Sequence, residues 1–222
     1  MTHTFDNVQC VLLDIDGTLV DSNEAHVSAW DEAFKRGGHA VDRSLIRQQI
    51  GKGADQLIPS LRPELDEATR ESIAKEHDEI FRSCYLPDVR PFDRATDLVA
   101  ALHRRGLKVV LASSANRLEV DHYIDLLNIK DLLTASTCAD DVQNSKPAGD
   151  IFASALKKID GATPDRALVI GDTPYDVIAA TKCKIGTLAV LSGGFSEDDL
   201  RRAGAHEVYR GVSGIVDEIE SE

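Results

Sequence analysis

The chain has 222 residues, of which 38 are acidic and 25 are lysine or arginine, so its formal net charge is −13 at pH 7. Such an acidic surface repels nucleic acid, which argues against a nucleic-acid-binding protein. No apolar run approaches the ~18 residues of a membrane helix, the start lacks the segments of a signal peptide, and the four cysteines lack metal-site spacing. We therefore expect a cytoplasmic protein with no membrane or nucleic-acid partner, and nothing in the sequence calls for more than a monomer.

Short apolar runs alternate along most of the chain with segments of helical periodicity. Such runs are typical of strands buried on both faces of a parallel sheet, and their alternation with helices predicts right-handed βαβ units. The expected strands are residues 8–15, 108–112, 167–170 and 186–191; the expected helices are 94–105, 117–127, 150–159, with Pro147 in its first turn, and 175–182. The predicted fold class is α/β, with a doubly wound, Rossmann-like parallel sheet.

The segment between the first two predicted strands has a different character. From about residue 21 to residue 87 it contains no convincing strand, and amphipathic patterns predict helices at residues 24–36, 43–50, 54–61 and 66–84. We interpret this segment as an all-α cap inserted into the sheet domain. The predicted domains are a core of residues 1–20 and 88–222 and a helical cap of residues 21–87.

Four polar segments follow the predicted strands, where ligands of open α/β sheets bind. The first contains Asp14 and Asp16, whose i, i+2 spacing in a strand directs both carboxylates into one crevice. Two like charges this close need a cation or a shared proton. Taken alone, however, the segment also fits a polar turn that ends a strand.

The other three segments are equally ambiguous when each is taken alone. Ser113 and Ser114 precede a helix, where hydroxyl and amide groups can bind phosphate or cap the helix. Lys146 comes before a proline, which favours an extended backbone, although a lone lysine is usually solvated. Asp172 and Asp176 could cap a helix or hold a hard cation through oxygen ligands.

In this order, the four segments resemble the signatures of the haloacid dehalogenase superfamily over nearly the whole chain. The resemblance implies Asp14 as the nucleophile that forms an aspartyl phosphate, and Asp16 as general acid and then general base. It implies phosphate binding by Ser113, Ser114 and Lys146. It also implies a magnesium ion held by the Asp14 carboxylate, the Asp16 main-chain carbonyl and Asp172, with Asp176 in or just behind that shell.

Within this superfamily, the residues favour a phosphatase acting on a small phosphorylated metabolite such as phosphoglycolate or a sugar phosphate. Asp16 favours cleavage of phosphate esters, since dehalogenases usually lack it. The rival is a β-phosphoglucomutase, supported by His26 and Trp30, which either contact substrate or pack on one helical face. Against the mutase, the cap loop offers Lys52 and no arginine for a second phosphate, and we expect this loop to select the substrate. A catalytically silent binding module would have lost some of these residues.

Overall fold

A parallel sheet forms the centre of the fold. The computed structural model describes residues 4–221, and within them six strands form one sheet in which every pairing is parallel. The strands are β1 (Cys10–Leu13), β2 (Lys108–Ala112), β3 (Ala135–Thr137), β4 (Ala167–Gly171), β5 (Gly186–Val190) and β6 (Glu207–Tyr209). Their spatial order is β3-β2-β1-β4-β5-β6. The doubly wound, Rossmann-like fold class is therefore confirmed.

Helices occupy most of the remaining chain. They are α1 (Asn23–Arg36), α2 (Arg43–Arg47), α3 (Ala54–Leu61), α4 (Glu67–Ile80), α5 (Ala95–Arg104), α6 (Arg117–Leu127), α7 (Asp150–Lys157), α8 (Pro174–Lys182), α9 (Glu197–Ala203) and α10 (Val212–Ser221). Several begin where a side chain accepts a hydrogen bond from the first turn, as Asp42, Asp66 and Ser196 do. No helix within residues 4–221 is both long and apolar enough to cross a bilayer.

The strand β1 is buried on both faces of the sheet. Val11 and Leu13 pack into the larger apolar cluster of the core, whereas Cys10 and Leu12 pack into a second cluster on the opposite face. All four side chains are fully buried. This is why the first strand has an uninterrupted apolar sequence rather than an alternating one.

Several sequence-based expectations need correction. The first strand is shorter than predicted, and β3, β6, α9 and α10 were not predicted at all. The short strands β3 and β6 contain Ser, Thr and Glu, so neither has the apolar run of a central strand. Pro147 lies outside α7, which begins at Asp150 after Gly149. Its expected place in the first helical turn is therefore wrong.

The helices α1–α4 lie between two segments of the chain that run side by side. One segment leads into α1, the other follows the helical region, and the two are hydrogen-bonded to each other. Asp21 donates its N–H to the carbonyl of Arg90 (2.9 Å), and Phe92 donates to the carbonyl of Leu19 (2.9 Å). After α4 the chain continues in a π-helical turn, Phe81–Tyr85. On the basis of this pairing of the two connecting segments, we propose the division into a core of residues 1–20 and 88–222 and a cap of residues 21–87.

The direction in which successive strands are added to the sheet reverses between β1 and β4. From β1 the chain proceeds outward through β2 and β3, and later returns beside β1 to proceed the other way through β4, β5 and β6. Leu13 pairs with Ile170, so Asp14 and Asp172 leave the sheet close together. Open α/β sheets bind ligands at such a switch point, outside the carboxyl ends of the strands.

Candidate active site

A buried ion-paired cluster lies at the ends of β1 and β4. The N–H of Asp14 donates to the carbonyl of Ile170 (2.9 Å), which fixes the residue against β4. The Nζ atom of Lys146 lies 2.5 Å from Asp14 Oδ1 and 2.7 Å from Asp176 Oδ1, and the lysine is 1% exposed. Burial alone would lower the pKa of Lys146, but the two carboxylates raise it above its usual range. The alternative of a solvated Lys146 is therefore wrong.

Three buried carboxylates meet in this cluster. Each of Asp14, Asp172 and Asp176 has an oxygen within 4.8 Å of an oxygen of the other two. Thr18 Oγ1 lies 3.1 Å from Asp14 Oδ2 and 3.0 Å from Asp172 Oδ1. Burial, opposed by Lys146, raises the pKa of Asp14 to about 7, and burial beside Asp14 and Asp176 raises that of Asp172 well above its ordinary value. One ammonium does not neutralise three carboxylates, and oxygen ligands at this spacing suit a hard divalent cation.

Two glycines lie so close to the Asp172 side chain that no larger residue fits at either position. Gly17 has φ +75°, and a Cβ atom there would lie 2.1 Å from Asp172 Oδ2; at Gly193 the corresponding distance is 1.7 Å. Asn23 also donates to Asp172 Oδ2 (3.1 Å) from the first turn of α1. Residues from the core and from α1 therefore hold this carboxylate in place.

Asp176 serves the helix and the cluster at the same time. It is the third residue of α8, and its Oδ2 accepts hydrogen bonds from the N–H (3.0 Å) and hydroxyl (2.7 Å) of Thr173. Its other oxygen faces Lys146. The sequence-based alternative of a helix cap is thus correct for Asp176, whereas its part in holding a hard cation stays a prediction.

Asp16 has a separate set of partners. Its Oδ1 accepts from Ser22 Oγ (2.6 Å) and lies 3.2 Å from His26 Nε2, and its Oδ2 lies 3.4 Å from Ser113 Oγ. Burial alone would raise the pKa of Asp16, but the hydrogen bond and charge of His26, with help from Ser22, hold it below its ordinary value. Asp16 and His26 therefore form a charged pair at the boundary between core and cap.

His26 and Trp30 belong to an aromatic stack that also reaches the site. The His26 ring lies 3.8 Å from the Phe81 ring, and the Trp30 ring lies 3.9 Å from that of His77. His26 Nδ1 is 3.3 Å from His77 Nε2. Both His26 and Trp30 line the cavity described below, so each packs and also faces the site.

The segment after β2 combines a helix cap with a link to Asp16. Asn116 Oδ1 accepts from the N–H of Glu119 (3.0 Å) and caps α6. The buried Ser113 hydroxyl accepts from the N–H of Ala115 (3.0 Å). Ser114 donates instead to the carbonyl of Gly51 in the cap loop (3.2 Å). Phosphate binding by the two serines stays a prediction.

The cap loop of residues 48–55 contacts the core at several points. Gly53 donates its N–H to Ser145 Oγ (2.9 Å), Asp55 Oδ2 accepts from the N–H of Ser145 (3.0 Å), and Tyr175 donates its hydroxyl to the carbonyl of Gln48 (2.5 Å). A Cβ atom on Gly53 would lie 2.7 Å from Ser145. This loop therefore covers the site at close range.

Between loop and core lies a cavity of about 190 Å³. Its described lining includes Asp14, Asp16, His26, Trp30, Ile50, Gly51, Lys52, Gly53, Ala54, His77, Asp78, Ser114, Ala115, Asn116, Glu119, Ala139 and Asp140. Sequence reasoning missed Thr18, Ser22, Asn23, His77, Asp78, Glu119 and Asp140. Thr18 and Ser22 could have been found from their closeness to Asp16, whereas the other residues are brought in by packing of distant helices and loops.

A family model described as haloacid dehalogenase-like hydrolase matches residues 8–184. The chain belongs to this family. The match includes Asp14, Asp16, Lys146, Asp172 and Asp176, so the whole charged cluster lies inside it. The family resemblance of the four motifs is thereby confirmed.

Curated relatives of this haloacid dehalogenase-like hydrolase extend over most of its length. Pyrophosphatase PpaX of Halalkalibacterium halodurans is 22% identical over 95% of this chain and 96% of its own. Phosphoglycolate phosphatase of Aquifex aeolicus is 26% identical over 84% and 86%, respectively. A crystal structure of a hydrolase from Pseudomonas syringae has a TM-score of 0.90 and 29% identity, and the match covers 96% of this chain and 98% of that one. We conclude that the chain is an enzyme, a hydrolase of the phosphatase type within this family.

Proposed function

We propose that this hydrolase is a magnesium-dependent phosphatase that cleaves a small phosphate monoester, such as phosphoglycolate or a sugar phosphate, through an aspartyl phosphate on Asp14. The observation that carries the proposal is the buried cluster in which Lys146 Nζ lies 2.5 Å from Asp14 Oδ1. A carboxylate that attacks a phosphate dianion is repelled unless nearby positive charge offsets the repulsion. Lys146 supplies part of that charge at the position of the nucleophile.

The donor set fits a magnesium ion. Asp14, Asp172 and the main-chain carbonyl of Asp16 would hold it, with Asp176 in or just behind that shell, and all of these are the oxygen ligands that Mg²⁺ prefers. The three carboxylates with oxygens within 4.8 Å of one another support this assignment. When bound, the ion would neutralise charge on the phosphoryl oxygens and favour the ionised carboxylates.

The residues of the chain divide the reaction into two displacements. A carboxylate oxygen of Asp14 attacks phosphorus, the ester P–O bond breaks, and Asp16 gives a proton to the leaving oxygen. Asp16 then takes a proton from water as that water attacks phosphorus, and the bond between Asp14 and phosphorus breaks to release inorganic phosphate. Lys146, Ser113 and Ser114 would hold the phosphoryl oxygens.

The charged pair of Asp16 and His26 supports the second half of this sequence. His26 holds the pKa of Asp16 below its ordinary value, after the opposing effect of burial, and an ionised Asp16 is the form that accepts a proton from water. In the first half, an incoming phosphate dianion beside Asp16 favours its protonated form, because two like charges disfavour each other. The same carboxylate is thereby suited to both roles.

The rival mutase function requires a cation for a second phosphate. Among the described residues that line the cavity, Lys52 is the only lysine or arginine. Its ammonium lies 2.5 Å from Gln49 Oε1 and 2.9 Å from Ser60 Oγ, within the cap itself. These contacts favour a phosphatase, which needs no grip on a second phosphate. A monomeric, cytoplasmic enzyme remains our prediction for its state and location.

Turnover of p-nitrophenyl phosphate with and without metal tests the proposal. We expect inorganic phosphate release with Mg²⁺, its loss in excess EDTA and its return on adding Mg²⁺. Ca²⁺ should inhibit, because its larger and more variable coordination shell misplaces the attacking carboxylate. Full activity in EDTA would overturn the metal assignment. With β-glucose 1-phosphate and a trace of the 1,6-bisphosphate, efficient formation of glucose 6-phosphate without phosphate release would instead establish the mutase.

A further inference from the structure

The half of the cavity that would face the leaving group is acidic. Beyond Asp14 and Asp16, its lining contains the carboxyl groups of Asp78, Glu119 and Asp140. These three residues come from α4, α6 and the loop after β3, so they surround this part of the cavity from separate elements. A leaving group that carries its own negative charge would meet carboxyl groups from more than one direction.

The basic groups of the same cavity are already engaged or neutral. Lys52 bonds to Gln49 and Ser60, as described above, and its Nζ lies 4.6 Å from the centre of the Tyr175 ring. His26 is paired with Asp16. Burial lowers the pKa of His77 to about 4, so its imidazole is neutral at pH 7. His26 and His77 therefore offer no free positive charge, and the Lys52 ammonium is held by Gln49 and Ser60 on the cap side of the cavity.

Several of the lining groups can instead bond to hydroxyl or ammonium groups. Glu119 is 4% exposed, and burial raises its pKa to about 8, so at neutral pH its carboxyl group can both donate and accept a hydrogen bond. The Asp78 and Asp140 carboxylates accept hydrogen bonds, and the side-chain amide of Asn116 lines the same region. A hydroxyl or ammonium group on the leaving group would find partners here.

Two arginines lie only in the outer chamber that continues from this cavity. That chamber shares Asp78, Glu119 and Asp140 with the inner cavity and adds Arg82 and Arg117. The Arg117 guanidinium donates to Ser136 Oγ and Asp141 Oδ2, both at 2.8 Å. A short leaving group held in the inner cavity would lie beside the carboxyl groups, whereas Arg82 lines only the outer chamber.

We infer that the enzyme selects phosphate esters whose leaving group carries hydroxyl or ammonium groups, and discriminates against short anionic leaving groups such as glycolate or phosphate. This inference rests on the proposed phosphatase function and narrows its substrate class. The acidic wall formed by the Asp78 and Asp140 carboxylates produces the charge selection, and the buried carboxyl group of Glu119 adds a hydrogen-bonding partner for hydroxyl and ammonium groups. Aminated or polyhydroxylated phosphate esters are the resulting substrate class.

Three two-carbon esters of similar size provide the test: 2-aminoethyl phosphate, 2-hydroxyethyl phosphate and phosphoglycolate. They differ in the group at the far carbon, which is cationic, neutral or anionic. We expect kcat/KM to fall in that order, with about a tenfold or larger difference between the first and the last, since charges separated by several ångströms near a protein surface interact at that level. Turnover of p-nitrophenyl phosphate is measured beside them as a reference for the chemistry at Asp14.

A charge-matched pair of variants distinguishes the effect of the cavity carboxylates from a general effect of lowering the negative charge of the protein. Asp78→Asn with Asp140→Asn should lower the ratio of kcat/KM for 2-aminoethyl phosphate to that for phosphoglycolate by about tenfold. The control, Asp121→Asn with Asp125→Asn, changes the net charge equally on the exposed face of α6 and should leave the ratio unchanged. The ratio within one variant cancels the amount of folded enzyme, and comparison of that ratio between variants cancels the difference in leaving-group chemistry.

The outcomes distinguish the two claims. Failure to hydrolyse any ester, including p-nitrophenyl phosphate, would overturn the proposed function and this inference with it. Turnover of p-nitrophenyl phosphate together with a preference for phosphoglycolate would overturn the inference alone. An unchanged ratio in the Asp78→Asn, Asp140→Asn variant would also overturn it.

Discussion

The active site has two parts that are built in different ways. The inner half is the buried charged cluster, and the outer half is the part of the cavity that lies between the cap and α6. In the inner half, Asp14, Lys146, Asp172 and Asp176 are at most 6% exposed and hold one another through direct contacts. In the outer half, the lining comes from α4, α6 and the cap loop, and the Asp78 side chain is 51% exposed. The inner half is therefore suited to a chemistry common to many substrates, whereas the outer half can vary without disturbing it.

The largest expected effect comes from removing the one cation of the inner half. Lys146→Met leaves Asp14 and Asp176 facing each other without compensation, and breaking a buried ion pair in this way costs about 3–5 kcal/mol. We expect turnover to fall by more than about 10²-fold, as when a charge-stabilising donor is removed from an active site. Denaturant unfolding and p-nitrophenyl phosphate hydrolysis measure the two effects.

The exposed Lys157→Met on α7 is the matched control and should change neither quantity. Retention of both stability and activity by Lys146→Met would contradict the account of the inner half.

A smaller effect is expected where the cap loop meets the core. Gly53→Ala introduces a methyl group 2.7 Å from Ser145, so the loop cannot close fully. We expect kcat/KM to fall by about tenfold, because a displacement of about 1 Å can cost up to about 10²-fold. The measurement is steady-state kinetics with a small phosphate ester.

Adding Ser145→Gly removes the atoms that clash and should restore part of the lost activity. A double variant no better than Gly53→Ala would show that this contact does not control closure.

The smallest effect concerns stability in the outer half. Burial raises the pKa of Glu119 from its ordinary 4.5 to about 8. Between these values the folded protein keeps a proton that the unfolded chain has lost, so the contribution of Glu119 to the free energy of unfolding falls as pH rises. We expect the difference in unfolding free energy between the wild type and Glu119→Gln to decrease by about 1 kcal/mol or more from about pH 5 to pH 8, as one pKa unit corresponds to about 1.4 kcal/mol.

Denaturant titrations of both proteins across that range provide the measurement. A difference that does not change with pH would show that Glu119 keeps an ordinary pKa in the folded protein.

The contrast between the two halves also explains what the sequence could predict. Asp14 and Asp172 directly follow apolar strands, so their meeting at one sheet edge follows from parallel pairing. Asp78 and Glu119 lie on the faces of amphipathic helices, where nothing local distinguishes them from solvated residues. Their role depends on how α4 and α6 approach each other, which periodicity does not specify.

The strands and helices of the fold also differ in how well the sequence predicts them. The central strands were predictable because they are buried on both faces, whereas β3 and β6 are three-residue strands at the sheet edges with mixed sequences. The helix α10 did carry a signal: Val212, Ile215, Val216 and Ile219 are buried at helical spacing. The sequence therefore contains a pattern that predicts α10, although this helix is not among the expected elements.

Pre-steady-state release of p-nitrophenol tests the central claim most directly, because it separates attack by Asp14 from hydrolysis assisted by Asp16. With Asp16→Asn, the first step needs little acid help, since p-nitrophenolate is a good leaving group, while the second lacks its base. We predict a burst of about one p-nitrophenol per active site followed by slow turnover, and neither a burst nor turnover with folded Asp14→Asn. Turnover by Asp14→Asn comparable to that of the wild type, or Asp16→Asn without a burst and with undiminished turnover, would contradict the account.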